Sequence, residues 1–221
     1  MGRWQPDAQG RLAQAAMELY GRQGFEKTTV AEIAERAGLT ERTFFRHFAD
    51  KREVLFGGAA ELQALLVRGI AAAPADSAPI GLVAASLRGV GAMFDERRAF
   101  ARQRQAIIAA NPELQERELI KLATLAAAAA SALRERGVAE PQASLAAEAG
   151  IAVFRIGFER WITASEGGPG LAQVMDELFG SLSATVSAAG AAAGSATARG
   201  RRRESSTRPA SPAASDSPAT M

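Results

Sequence analysis

Apolar residues recur at three- and four-residue intervals along most of the chain, and no stretch shows the strict alternation of a half-buried strand. Leu12, Ala15, Ala16 and Leu19 share one face of a helix predicted from about Pro6 or Asp7 to Gln23, with Gly24 as its stop and residues 1–7 as a loose arm. A second helix is predicted to start after Asp50 and run through Leu62, Leu65 and Leu66 to about Ile70. Gly57-Gly58 lies inside it at a cost of about 1 kcal/mol per glycine, which implies a joint or a close helix contact there. Ala71 to Pro79 reads as a linker. Five more helices are expected beyond it, over about Ile80–Arg97, Ala99–Ala110, Pro112–Arg136, Pro141–Thr163 and Leu171–Ala189. The pattern predicts an all-α protein.

The stretch between the first two predicted helices has the most detailed local signals. Thr29 is followed three residues later by Glu32, and Asp50 by Glu53, the spacing of capping boxes. Thr40 is a third N-cap, and Leu39 and Phe44 flank it at the spacing of a hydrophobic staple. Gly38, in Ala37-Gly38-Leu39, stands where the chain must turn through a left-handed conformation. Two short helices joined by such a turn make a helix-turn-helix, whose second helix enters the DNA major groove. Phe44 and Phe48, one turn apart, face inward with Ile33 and Val30, leaving Thr40, Glu41, Arg42, Phe45, Arg46 and His47 on other faces.

Residues 10 to 56 resemble the DNA-binding domain of the TetR family of bacterial regulators, in the variant whose recognition helix reads Glu-Arg-Thr-Phe-Phe-Arg-His-Phe. Arg42 is the expected base reader, since a guanidinium can bond bidentately to guanine O6 and N7; the alternative is a surface ion pair with Glu35 or Glu41. Thr43 and Phe45 are expected near a thymine methyl, and Thr40 near a base edge and a phosphate. The resemblance implies phosphate contacts for Thr29, His47 and Lys51. The family's usual tyrosine is Phe45 here, so its hydroxyl contact is lost and only an apolar one remains. Arg46 either grips the backbone or is solvated. The resemblance also implies a homodimer that reads a pseudopalindromic operator in double-stranded DNA, a small-molecule effector, and a C-terminal bundle holding the ligand site and the dimer interface.

Composition narrows the classes. The chain has 221 residues and no cysteine, so disulfides, thiolate-ligated metals and thiol chemistry are excluded. No run of 18 apolar residues suggests a membrane span, and the polar opening lacks a signal-peptide core, so a cytoplasmic, nucleoid-associated protein is expected. The formal charge of +2 is carried by the end of the chain: residues 191–221 hold five arginines against Glu204 and Asp216, which leaves residues 1–190 at −1. DNA binding therefore rests on the motif and not on overall charge. From Gly190 on, no large apolar residue occurs before Met221, and disorder is expected. The implied organisation is a DNA-binding domain over 1–56, a helical ligand and dimerisation domain over 57–189, and a tail over 190–221.

His47 is the single histidine, without companions for a metal site or a catalytic pocket. No enzyme activity, cofactor or metal is expected. In the second half, large apolar residues and arginines alternate in Phe154-Arg155-Ile-Gly-Phe158-Glu-Arg-Trp161 and around Arg104. Met93, Phe94, Arg104, Phe154, Arg155, Phe158 and Trp161 are candidate ligand contacts, an arginine in an apolar cavity suiting a carboxylate or phosphate. The alternative is a plain core with arginines on polar faces. The leading reading is a repressor released from its operator by a small molecule. The alternatives are a ligand-insensitive DNA-binding regulator and an all-helical enzyme or binding bundle.

Overall fold

The computed structural model describes residues 8–74, 76–165 and 167–205, and among them there are helices and turns but no strand. In chain order the helices are α1 (Ala8–Gln23), α2 (Val30–Arg36), α3 (Glu41–His47), α4 (Ala59–Ala72), α5 (Pro79–Ala92), α6 (Arg98–Ala109), α7 (Pro112–Glu135), α8 (Gln142–Thr163) and α9 (Leu171–Ser205), with 3-10 turns at Glu53–Phe56 and Asp95–Arg97. Among the described residues, those through Phe179 form one compact unit and those from Gly180 on form a second. The arm expected over 1–7 lies outside the described residues. The last helix continues past the expected end at 189 to Ser205, so the tail expected to be disordered is helical as far as 205; residues 206–221 lie outside the description.

The largest difference from the sequence pattern lies between Asp50 and Ile70. The expected single helix is a 3-10 turn and then α4, separated at Gly57-Gly58. Asp50 does cap the turn, its Oδ1 accepting the N–H groups of Arg52 at 2.8 Å and Glu53 at 3.0 Å. The reciprocal half of the box is absent, because the Glu53 carboxylate turns away to Arg117 and Lys121 on α7. The stretch Glu53–Ala72 has the length and mean hydropathy, 1.4, of a membrane-crossing segment, but the glycine break divides it and Leu66 and Ile70 are fully buried in the protein. Asn111 stands at the N-cap position of α7. Its side chain does not cap α7 but donates backward to the Ile107 carbonyl near the end of α6, at 2.6 Å.

Two apolar clusters fill the first unit. Leu12, Ala16, Tyr20, Ile33, Phe44 and Phe56 centre the N-terminal cluster, which Ile107, Ile108 and Leu114 from α6 and α7 complete. The N-terminal head, residues 8–56, thus has a core that α6 and α7 complete. In the body, α5 is central, with Val83, Leu87 and Val90 fully buried, and it packs on α4 and α8. Arg136 fastens the end of α7 to that of α4. Its guanidinium donates to the carbonyls of Ile70, Ala71, Ala73 and Pro74 at 2.6–3.2 Å, filling acceptors that the helix end leaves open.

Close helix approach in the body depends on small residues. A Cβ on Gly91 of α5 would lie 2.8 Å from the backbone N of Ala172 and 2.9 Å from its Cα on α9, with no flexible atom to yield. Gly91→Ala is expected to destabilise the fold by about 1–3 kcal/mol, as overpacking does. Gly89→Ala, two positions away with nothing within 4 Å, should stabilise it by about 0.5–1 kcal/mol through helix propensity. Chemical denaturation of the two variants checks this: equal midpoints would mean that α5 and α9 are not in close backbone contact.

Candidate nucleic-acid interface

Helices α2 and α3 are seven residues each, too short to persist alone, so their ends must be satisfied locally. Thr29 and Glu32 form the full capping box: Glu32 N–H donates to Thr29 Oγ1 at 3.2 Å, and Thr29 N–H to Glu32 Oε2 at 2.8 Å. The Thr29 N–H and hydroxyl hold the Glu32 carboxyl below its usual range. At the other end Leu39 N–H reaches the Ala34 carbonyl at 2.8 Å and Gly38 N–H that of Glu35 at 2.9 Å, with Gly38 at φ +66°. This is a Schellman turn, and a Cβ at Gly38 would be strained. Thr40 then caps α3 by accepting the Thr43 N–H at 3.2 Å.

Phe44 is fully buried and Phe48 nearly so, which fixes the roll of α3 about its axis. Burying such a ring contributes about 1.5–3 kcal/mol. The remaining faces follow. Thr40, Glu41, Arg42, Phe45 and Arg46 are exposed, while Thr43 and His47 are half-buried. Thr40, Arg42, Thr43, Phe45 and Arg46 line one shallow hollow. Phe45, 56% exposed, rests edge-on against Phe44 with centroids 5.5 Å apart, so an apolar ring is held out toward solvent. Neither Arg42 nor Arg46 has an ion-pair partner among the described residues, and the alternative pairing of Arg42 with Glu35 or Glu41 is not formed. The Nε2 atom of His47 is buried and without a hydrogen-bond partner.

Two of the expected phosphate contacts are otherwise engaged. Thr29 is exposed, but its hydroxyl donates to Glu32 Oε2 at 2.9 Å within the capping box. Lys51 turns inward: its Nζ donates to the carbonyls of Phe25, Glu26 and Thr28 at 2.9–3.0 Å and lies 4.5 Å from the Phe25 ring centroid. All three ammonium protons are thereby used within the chain. Tyr20 completes the fastening by donating from its hydroxyl to the Lys51 carbonyl at 2.6 Å, and burial, then the charge of Asp50, pushes its phenol pKa up. The carbonyls that Lys51 satisfies lie 23 to 26 residues upstream, so no local pattern marks the bond.

The candidate ligand residues separate into two groups. Phe94, Phe154, Phe158 and Trp161 come together between the end of α5 and the C-terminal half of α8, with ring centroids 5.6–6.4 Å apart. Met93 lies at the surface beside Phe94 in sequence, 38% exposed. Trp161 is fully buried and its Nε1 has no hydrogen-bond partner. Arg155 is not part of this cluster; it is exposed and pairs with Glu159 at 3.4 Å. Arg104 is also elsewhere, donating to the Leu55 carbonyl at 2.7 Å and to Glu118 at 2.8 Å. The arginine that does meet the rings is Arg98, which the sequence reading missed. Its guanidinium lies 5.2 Å from the Trp161 ring centroid and donates to the carbonyls of Ser165, Gly168 and Pro169.

Comparison with known proteins agrees with this geometry. The model of bacterial regulatory proteins of the tetR family matches residues 12–56, and the MftR C-terminal domain model matches residues 77–187. The chain is 36% identical over 80 residues to the HTH-type transcriptional regulator TcmR of Streptomyces glaucescens, covering 36% of this chain and 35% of that protein. It is 34% identical over 70 residues to the mycofactocin biosynthesis transcriptional regulator MftR of Mycobacterium tuberculosis, covering 30% of this chain and 35% of that protein. The matches thus span about a third of each relative's length. In fold it is similar to a crystal structure described as a TetR-family transcriptional regulator from Mesorhizobium loti MAFF303099, with a TM-score of 0.54 and 20% identity over 82% of this chain and 96% of that one. With both halves matched, and the second model alone spanning half of its length, the chain belongs to the TetR family of bacterial regulatory proteins.

Proposed function

We propose that this protein is a homodimeric transcriptional repressor of the bacterial cytoplasm that binds a pseudopalindromic DNA operator and is released by a small-molecule effector. Residues 1–56 form the reading head, and residues 57–189 bind the effector and the second subunit. The observation that carries the DNA reading is the outward row of α3. Arg42 and Arg46 stand unpaired beside Thr40, Thr43 and an exposed Phe45 in one hollow, on a helix whose roll is fixed by buried Phe44. An unpaired arginine and a solvent-facing aromatic ring are costly or idle on an ordinary surface, and both suit base edges in a major groove. Glu41, at the first turn of α3, tunes which bases are accepted. His47, in the last turn of α3, is assigned to a backbone phosphate at the flank of this row.

The effector site is assigned to the cluster of Phe94, Phe154, Phe158 and Trp161, with Met93 at its edge. The buried, unpartnered Trp161 Nε1 supports this. Such a donor forfeits about 1–3 kcal/mol that an acceptor on a ligand restores. Dimerisation through α8 and α9 is supported by Leu145 and Ile156, 65% and 41% exposed on α8, and by Leu178 and Phe179, half-buried on α9. A two-fold axis would set each such residue against the partner's copy of the same face.

Arg42→Ala is expected to lose about 1–3 kcal/mol of operator binding and to relax preference at one base pair. Lys51→Ala should act differently, lowering the denaturation midpoint while leaving the slope of log K against log salt unchanged for the folded protein, since its ammonium is already used. Competition titrations at several salt concentrations measure both; an unchanged sequence preference in Arg42→Ala would remove it as base reader. Ile156→Glu should convert a sedimenting dimer into a folded monomer with weak operator binding, because two unpaired carboxylates would otherwise be buried. A wild-type chain that sediments as a monomer yet binds its operator tightly would overturn the dimer. Compounds that raise the thermal midpoint should lower DNA affinity, and Trp161→Phe should weaken both effects. If no stabilising compound alters DNA binding, the ligand-insensitive reading replaces this one.

A further inference from the structure

We propose that Arg104 is a positioning residue that sets the orientation of the DNA-reading head on the helical body, and through it the half-site spacing that the protein accepts. The inference rests on the two-headed reading above. Chain connectivity alone leaves that orientation loose. The head ends in the 3-10 turn Glu53–Phe56, and α4 begins only after Gly57-Gly58. A Cβ at Gly57 would touch the Phe48 ring at 3.4 Å, but one at Gly58 would meet nothing within 4 Å, so the second half of this joint has no close packing around it. The apolar seam of Ile107, Ile108 and Leu114 supplies attraction to the head, but apolar contact is non-directional.

Direction comes from Arg104. Its Nε donates to the Leu55 carbonyl at 2.7 Å and its Nη1 to Glu118 at 2.8 Å, and its guanidinium lies 5.1 Å from the Phe56 ring centroid. A planar group held at three points admits one placement of the 3-10 turn against α6 and α7. The neighbouring Gln103 donates to the Met17 carbonyl of α1 at 3.0 Å, and Glu53 pairs with Arg117 and Lys121. The side chains of Arg104 and Glu118 are only 19% and 23% exposed. Away from this seam, both partners of every ion pair among the described residues are at least about a third exposed. The pairs least screened by solvent are thus concentrated where head meets body.

In a dimer each head reads one half-site, so the two orientations together define one spacing along the duplex. Loosening both heads broadens the accepted spacings without changing what each head reads. The test uses the full chain and a duplex that the wild type enriches from a randomised pool, remade with up to two base pairs added or removed between the half-sites. Wild type should lose about tenfold or more in affinity per altered step. Arg104→Ala should flatten that profile to within about threefold, with half-site base preferences unchanged. Arg104→Lys keeps the charge without the fork and should fall between; it also carries the test if Arg104→Ala does not fold. Ser86→Ala, which removes a buried hydrogen bond to the Leu66 carbonyl, is the stability control and should keep the wild-type profile. Identical spacing profiles for wild type and both Arg104 variants would overturn the assignment. A wild type that binds one half-site as tightly as two would instead overturn the two-headed reading, and this inference with it.

Discussion

The apolar cluster of the N-terminal head is completed by residues of α6 and α7, and much of the rest follows from that sharing. Two seven-residue helices are far below the roughly 12–15 residues at which an isolated helix becomes marginal in water. Caps satisfy their ends, but the burial that holds them comes from Phe44, Phe48 and Ile33 packing on α1 and on a cluster shared with Ile107, Ile108 and Leu114. Those three residues come from α6 and α7, so the cluster that holds α2 and α3 is partly built from helices outside the N-terminal head. A shift of α6 or α7 is therefore felt in the head's own core.

Arginine is the second recurring device. Arg98 and Arg102 take carbonyls at and after the end of α8, Arg136 takes those at the end of α4, and Arg104 takes one in the 3-10 turn. The last carbonyls of a helix have no partner within it and carry the negative end of its dipole. A guanidinium suits them because its several N–H groups lie in one plane and its charge is delocalised, which lowers the cost of partial burial. Lys51 does similar work with a compact ammonium where three carbonyls converge. These five cations are thus spent on the chain's own backbone. The unpaired Arg42 and Arg46 differ from these, and the proposed DNA contact rests on where they stand, since residues 1–190 carry a net charge of −1.

Fold class, helix order and the reading helix were legible from residues alone, because each is set by interactions spanning a turn or two. The Thr29–Glu32 box, the Gly38 turn, the Thr40 cap and the inward Phe44 depend on neighbours within about five positions, and the structure has each as the spacing requires. The aromatic cluster was partly legible, since Phe154, Phe158 and Trp161 lie on successive turns of one helix. Partners dozens of residues away were not. Glu53 has the spacing of a capping-box acid, yet it sits 64 residues before Arg117 and is drawn to it across the fold. Lys51, Arg104 and Arg98 are cations in a sequence and become fasteners only when folding brings distant carbonyls within about 3 Å of them. Gly57-Gly58 announced an awkward helix, but whether it was a break or a close crossing depended on what lay beside it. Local hydrogen bonding and periodicity thus determined what the elements are, and long-range packing alone decided which charges are fastened to the chain's own backbone and which stay free.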